Sequence, residues 1–528
     1  MRAGFRRVPV QAQAQQRHET YTFPAPTRGK ISNENLAAAG PQGAKVLENW
    51  FPTSTGIRLR GGASRHATIG TIPVTSMMSY DGPAGRFMFA CDGTKIFDTT
   101  APADPTIPPS PVITGLTSGY FSYVQFATPG GYYLSAVNGT DSMRQFDGTT
   151  WTTVAALGPS INTNQLSFIW AYKNRQFFVQ KNTLNVWFLP VDSISGTATV
   201  YSLAGVFQRG GSVLCGGTWS LETGGGIDDK CVIISDRGEV AVFQGTNPAD
   251  PTAWSIVGRY DMSPPRGPRA LMQAGGDLLI GMDDGIVPIS QAIQKDAAAL
   301  ALISVTRAIE PDWRREVAAR SVLPWELLKW PTFNMGIVAL PADAGQDKKV
   351  FVVNLQTGAW ADYTGWDARC LVLHEGWAYF GTSDGKVMQC EVGGNDDGMP
   401  YTCTYVGLFD HMKRVARTKI LHMARTVFLA SRKFIPKLSV STNYQVTLPS
   451  APPSTPNDVT FDAWDSGLWD VAVWDAGSVK TVSTKWTSIG QSGFIVAPQV
   501  QVTCGVTPTP DAELVAIDMT FETGAVVV

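Results

Sequence analysis

At 528 residues the chain exceeds one ordinary domain and is long enough to bury a large core. Its 42 basic and 44 acidic residues nearly cancel, to a formal net charge of −2, which excludes holding nucleic acid by a whole-protein field. A hydrophobic share of 44% with only 16% charged residues, alongside 52 Gly, 34 Pro, 24 Phe and 16 Trp, points to many turns and buried aromatic plates, hence β structure.

Residues 1–60 read as an extended arm. Arg2, Arg6, Arg7 and Arg17, a Gln/Ala-rich patch at 11–16, and Pro24, Pro26 and Gly29 show no sustained period. Leu36, Val46, Leu47, Trp50 and Phe51 are costly to leave in water, so the arm is expected to dock on a platform or a neighbouring subunit. The start of the chain has no apolar stretch of signal-peptide length, and no 18-residue apolar run occurs anywhere, so neither a secretory leader nor a spanning helix is expected.

Residues 61–400 repeat one unit, an apolar run, a tight turn and a second apolar run. It recurs in RFMFACDGTKIFD (86–98), GYYLSAVNGTDSMRQFDGTTW (131–151), RQFFVQKNTLNVWFLP (175–190) and KCVIISDRGEVAVFQG (230–245). GDLLIGMDDGIVPIS (276–290), KVFVVNLQTGAWADY (349–363) and GWAYFGTSDGKVMQCE (376–391) complete the series. Asn-Gly and Asp-Gly between apolar runs are the strongest short hairpin signal, because Gly adopts the positive φ that the turn requires. Turns at 93, 139, 182, 238 and 285 are spaced by 46, 43, 56 and 47 residues, near the 40 to 50 that a four-stranded blade needs, so a β-propeller is preferred over a sandwich or barrel. Gly358 and Gly385 lie only 27 apart, as expected if both hairpins, or their neighbouring strands, belong to one blade. SQAIQKDAAALALISV (290–305) and PDWRREVAARS (311–321) read as a helical insertion near 290–321.

Residues 401–528 change character and read as a β-rich platform domain. A basic stretch at 407–434 carries Lys413, Arg414, Arg417, Lys419, Arg425, Arg432 and Lys433, a solvated face or a contact with an acidic neighbour or DNA phosphate. In FDAWDSGLWDVAVWD the pair Trp-Asp recurs with Trp464, Trp469 and Trp474, a five-residue step that fits neither helix nor strand. Alternation from TKWTSIG to the end predicts strands of a small β-sandwich.

Catalytic signatures are weak. The five histidines form no zinc pattern, His411 and His422 being the nearest to a pair, and neither a P-loop nor G-x-S-x-G is present. The seven cysteines are scattered and odd in number, which predicts isolated core thiols. Asp228, Asp229, Asp283 and Asp284 could supply a glycosidase carboxylate pair, but they sit in turns that Asp side chains stabilise by hydrogen bonding. Ser235-Asp236-Arg237-Gly238 matches half of a sialidase Asp box, without its Trp. No enzymatic activity, cofactor or metal is expected.

Two stretches carry a family resemblance. NLAAAGPQGAKVLENWFPTSTGIRLRGG (35–62), with Asn49, Trp50, Phe51 and Pro52 followed by Arg58, Arg60 and Gly61, resembles the N-terminal signature of tail nozzle (hub, or tail tubular protein B-like) proteins of short-tailed bacteriophages. FDAWDSGLWD with DAELVAIDMTFETGAVVV is similar to their C-terminal part. The resemblance implies a propeller on a β-rich ring platform, a homohexamer in the virion tail around the DNA exit channel, made in the host bacterial cytoplasm. Its implied partners are a tail adaptor above, tail fibres or spikes at the side, genomic DNA passing without sequence-specific contact, and the host cell surface. Trp50, Phe51, Pro52, Arg58 and Arg60, with Trp464, Trp469 and Trp474, are the expected assembly contacts; loops or the insertion near 290–321, which has no place in the blade period, are the expected gate. The rival expectation is a host-glycan-binding or glycan-cleaving propeller acting in receptor recognition.

Overall fold

The computed structural model describes residues 18–34, 40–104, 107–220, 229–293, 304–431, 434–454, 481–483, 485–505 and 511–526. Seven small antiparallel sheets follow one another along the middle of the chain, at 76–113, 122–154, 166–202, 213–261, 271–288, 326–364 and 370–390. We number them blades 1 to 7. The inner strands touch in succession, and Cys370–His374 of blade 7 packs against Ser76–Gly82 of blade 1, so the ring of sheets is closed. The protein is a seven-bladed β-propeller.

Closure is completed by a strand from the other end of the sequence. Ala63–Thr68 pairs with Lys386–Cys390 as the outermost strand of blade 7, in register from Ala63 opposite Cys390 to Thr68 opposite Lys386. Opening the ring therefore means breaking a sheet as well as an interface between blades.

The turns at 93, 139, 182, 238 and 285 each join the second and third strands of successive blades, which explains their even spacing. Their polar residues make the turns. Asp92 Oδ1 accepts from the backbone N–H groups of Thr94 and Lys95 at 2.6 and 2.7 Å, and Asn138 Oδ1 from those of Thr140 and Asp141 at 3.0 and 2.8 Å. Gly358 and Gly385, however, belong to different blades. Gly358 turns between the third and fourth strands of blade 6 and Gly385 between the second and third of blade 7, so their 27-residue spacing compares unlike turns.

Blade 5 has three described strands, and after them the chain turns helical at Ile289–Ala292 and Glu310–Ala319. The second helix is a core element. Trp313 is wholly buried, donates from Nε1 to the Met282 carbonyl at 3.0 Å, and packs on Trp325 and Phe351 at ring distances of 5.1 and 6.1 Å. Its polar face is bolted down by Lys30 to Asp312 at 2.8 Å and Lys349 to Glu316 at 2.7 Å. The expected gate thus falls on an anchored helix in its 304–321 part, and 294–303 lies outside the described residues.

The platform is two sheets sharing one core with blades 6 and 7. One sheet extends blade 6 itself. The outer strand Trp360–Thr364 continues into Ala44–Glu48, Tyr401–Gly407, Val496–Cys504 and Lys437–Thr442, giving eight strands in one sheet. The other holds Glu19–Pro24, the hairpin Trp50–Pro52 and Ile57–Leu59, and the long pair Arg417–Ala430 and Ala512–Val526. The sequence boundary at 60 is therefore displaced: 44–48 and 57–59 pair with platform strands hundreds of residues away, 50–52 forms a hairpin with 57–59, and 19–24 is an edge strand of that hairpin's sheet. Residues 1–17 lie outside the described residues.

The basic stretch includes the strand Arg417–Ala430, and three of its charges are held within the chain. Arg425 meets Asp518 at 2.7 Å, Arg414 meets Glu19 at 2.8 Å, and Lys419 is fully buried. Arg432, Lys433, Trp464, Trp469 and Trp474 lie outside the described residues.

Candidate assembly site at the joint of propeller and platform

The residues singled out from the sequence converge where the chain leaves the platform for the closing strand. Asn49 links the eight-stranded sheet to the hairpin with φ of 61°, a left-handed conformation that Asn tolerates because its short amide bonds locally. Its Nδ2 donates to Thr364 Oγ1 and to the Thr402 carbonyl, both at 2.7 Å, joining blade 6 to the platform through one side chain. Trp50 and Phe51 are buried, Trp50 stacked on Phe428 at 6.4 Å, and Pro52 offers its carbonyl to Asn354 Nδ2 at 2.9 Å. Their burial is inside their own chain, which leaves the two aromatic side chains no surface for a neighbouring subunit.

Arg58 and Arg60 sit two residues apart on one face and reach different acids. Arg58 lies 4.8 Å over the Phe51 ring and donates to Glu391 Oε2 at 2.8 Å, while Tyr363 donates to Glu391 Oε1 at 2.8 Å. Arg60 is fully buried and uses all five of its N–H donors. Nε donates to Asn49 Oδ1 at 2.8 Å; Nη1 to the Gly61 carbonyl at 2.8 Å and Asp396 Oδ1 at 2.9 Å; Nη2 to the Thr364 carbonyl at 3.1 Å and Asp396 Oδ2 at 2.6 Å. The guanidinium also lies 3.7 Å from the Tyr401 ring centre. Burial opposes its charge, but the hydrogen bonds and attraction of Asp396 outweigh that and hold Arg60 even more firmly protonated than usual.

Beside this joint a cleft of about 940 Å³ opens between the platform and blade 6, lined among others by Lys30, Glu48, Asp312, Glu316, Lys349 and Asp362. Lys30 bridges Asp312 and Asp362 at 2.8 and 2.6 Å. Burial, then the nearby charge of Asp362, pushes the Glu48 carboxyl above its ordinary value. Apart from Glu48, these opposite charges are paired with each other across three parts of the chain, an arrangement that braces a seam.

The propeller axis carries a second buried pair. Arg269 enters from blade 5, forms an ion pair with Glu326 of blade 6, donates to the Thr75 and Phe121 carbonyls at the entries to blades 1 and 2 at 3.0 and 3.3 Å, and lies 4.1 Å from the Tyr120 ring centre. Glu326 also accepts from the Leu371 N–H of blade 7 at 2.8 Å. Four other blades are thus tied to blade 5 across the middle of the ring, and side chains fill that end of the axis. The carboxylates considered for glycosidase chemistry do not gather there: Asp283 pairs with Arg266 at 3.1 Å, Asp284 accepts from Ser263, the Asp229 carbonyl accepts from Tyr172, and Asp228 lies outside the described residues.

Architecture and joint together define a β-propeller fused edge-on to a two-sheet platform. No protein-family model matches the chain, and no curated protein matches it. Among solved structures, it is similar to YCF48 from Cyanidioschyzon merolae (8% identity over 62% of this chain and 98% of that one, TM-score 0.38) and to Saccharomyces cerevisiae Sqt1 (11% identity, 65% and 96%, TM-score 0.39). It is also similar to the computationally designed protein Ika8 (10% identity, 62% and 100%, TM-score 0.35). The propeller assignment rests on the closed ring of sheets itself.

Proposed function

We propose that this chain is a structural virion protein, the nozzle or hub that closes the distal end of a short phage tail. Six copies form a ring below the tail adaptor, flanked by fibres or spikes, with the genome leaving along the ring axis. The observation that carries this reading is the coincidence of motif and architecture: the stretch from Asn49 to Gly61, the core of the first of the two stretches that carry the resemblance, is the joint between propeller and platform. A subunit braced in this way transmits force between its two parts without bending at a linker, as a tail tip under DNA pressure requires. The DNA path belongs between copies, because the Arg269–Glu326 cluster occupies the propeller's own axis.

Antibodies against the propeller, imaged on particles of the phage that encodes it, should decorate the distal tip of the tail. Decoration of the capsid shell alone would overturn the reading. Shortening of host envelope polysaccharide by the purified chain would replace it with a glycan-cleaving function.

A further inference from the structure

We propose that the platform carries a divalent transition-metal site of the zinc class, built from His18, His422 and Glu522, which fastens the edge strand Glu19–Pro24 to the long strands beside it. The inference is independent of the nozzle reading.

Three strands bring the residues together. Ala512–Val526 lies between Glu19–Pro24 on one side and Arg417–Ala430 on the other. Glu19 pairs with Phe521, so the residue before it, His18, falls beside Glu522. On the far side Leu421 pairs with Phe521 and Met423 with Thr520, which leaves His422 as the extra residue of a β-bulge. The neighbouring strand Trp486–Gly493 skips it too, pairing Leu421 with Gln491 and Met423 with Ser488. A bulge of this kind re-aims a side chain, and here it turns an imidazole toward the carboxylate.

The geometry suits one ion. His18 Nδ1 lies 3.2 Å from Glu522 Oε1, and His422 Nε2 lies 3.6 Å from Glu522 Oε2. The two imidazole rings meet edge to face at 5.2 Å, and one ligand atom from each of the three residues lies within 4.8 Å of the others. Zinc binds imidazole nitrogen at about 2.0–2.1 Å and carboxylate oxygen at about 2.0–2.2 Å, so only a small closure is needed. His422 Nε2 is shielded from solvent and makes no hydrogen bond, its nearest charged neighbour being the Glu522 carboxylate. Among the described residues this is the one trio of His, Cys, Asp or Glu that meets this spacing.

The ligand set selects the metal class. Two imidazoles with one carboxylate suit Zn²⁺, Ni²⁺ or Cu²⁺, whereas Mg²⁺ and Ca²⁺ want oxygen donors. Three protein ligands leave a tetrahedral ion one position for water. An ion pair between His18 and Glu522 alone, with the His18 side chain 63% exposed, would contribute little and would not call for a second histidine at the bulge. A metal tied to all three joins an edge strand to the two longest strands of the platform.

The test uses tag-free full-length chain, stripped with EDTA and titrated with ZnCl₂ by calorimetry. One equivalent should bind per chain, with a rise in melting temperature, while MgCl₂ produces neither. Glu522→Gln and His422→Ala should each weaken Zn²⁺ binding by roughly tenfold or more, since even loss of a group that only hydrogen-bonds a metal ligand costs about 10- to 100-fold. His411→Ala, a control on another turn, should bind as the wild type does. Absence of saturable Zn²⁺ binding to the wild type, or unchanged affinity in Glu522→Gln and His422→Ala, would overturn the proposal.

Discussion

Arg60 and Asp396 meet end on, each terminal nitrogen of the buried guanidinium donating to a different carboxylate oxygen, at 2.9 and 2.6 Å. Asp396 Oδ1 also accepts from the Ala63 N–H at 3.0 Å, the first residue of the strand that closes the ring. One carboxylate therefore anchors both the platform joint and the propeller closure.

Asp396→Ala strands the Arg60 charge in the interior and should cost about 3–5 kcal/mol, the range for breaking a buried pair from one side. Arg60→Lys keeps the charge but loses the fork, and should destabilise as well. Denaturant midpoints measure both, and an Asp396→Ala loss below about 0.5 kcal/mol, the scale of ordinary surface substitutions, would contradict this account of the joint.

Gly62 passes so close to the loop after blade 7 that a Cβ there would lie 2.0 Å from the Asn395 carbonyl oxygen, whereas a Cβ on Gly70 would meet open space. Gly62→Ala should therefore lose about 1–3 kcal/mol by overpacking and Gly70→Ala stay within about 0.5 kcal/mol. Equal thermal shifts in the two variants would contradict the close approach.

Trp313→Ala tests whether Glu310–Ala319 is core or lid. Loss of a fully buried indole should cost about 3–5 kcal/mol. A lid would lose little, so a thermal midpoint equal to that of the wild type would count against an anchored helix.

The hairpins were legible because Asn-Gly and Asp-Gly turns are local chemistry, and all seven hairpins occupy separate blades. What local chemistry cannot show is which pair of strands a turn joins, so Gly358 and Gly385 look alike in sequence and differ in the fold. ASRHAT, the closing strand, has no clear alternation and is fixed by pairing with residues more than 300 positions away. The same range hid the platform role of 44–59. Burial of Trp50 and Phe51 followed from their apolar surface, but whether their own chain or a neighbour would cover them did not. His18, His422 and Glu522 come together only through strand order and a bulge, which no spacing rule registers.

Burial raises most of the cysteine pKa values, those of Cys91 and Cys231 to about 12 from an ordinary 9. Raised folded values stabilise the native state below the unfolded pKa, and this stability is lost as pH climbs from about 9 toward 12. Cys504 differs: a hydrogen bond from Cys403 lowers its pKa. In native protein near pH 8 a thiol reagent should meet seven slow cysteines, with Cys504 reacting first, and all seven should react rapidly in denaturant. Fast native labelling of Cys91 or Cys231 would contradict their burial.

Oligomeric state tests the central claim most directly. Native mass measurement of the purified chain, with negative-stain images of the same sample, should show a closed ring of six copies around an open axis. A monomer at every concentration and salt tested, or an open chain of copies, would contradict the nozzle.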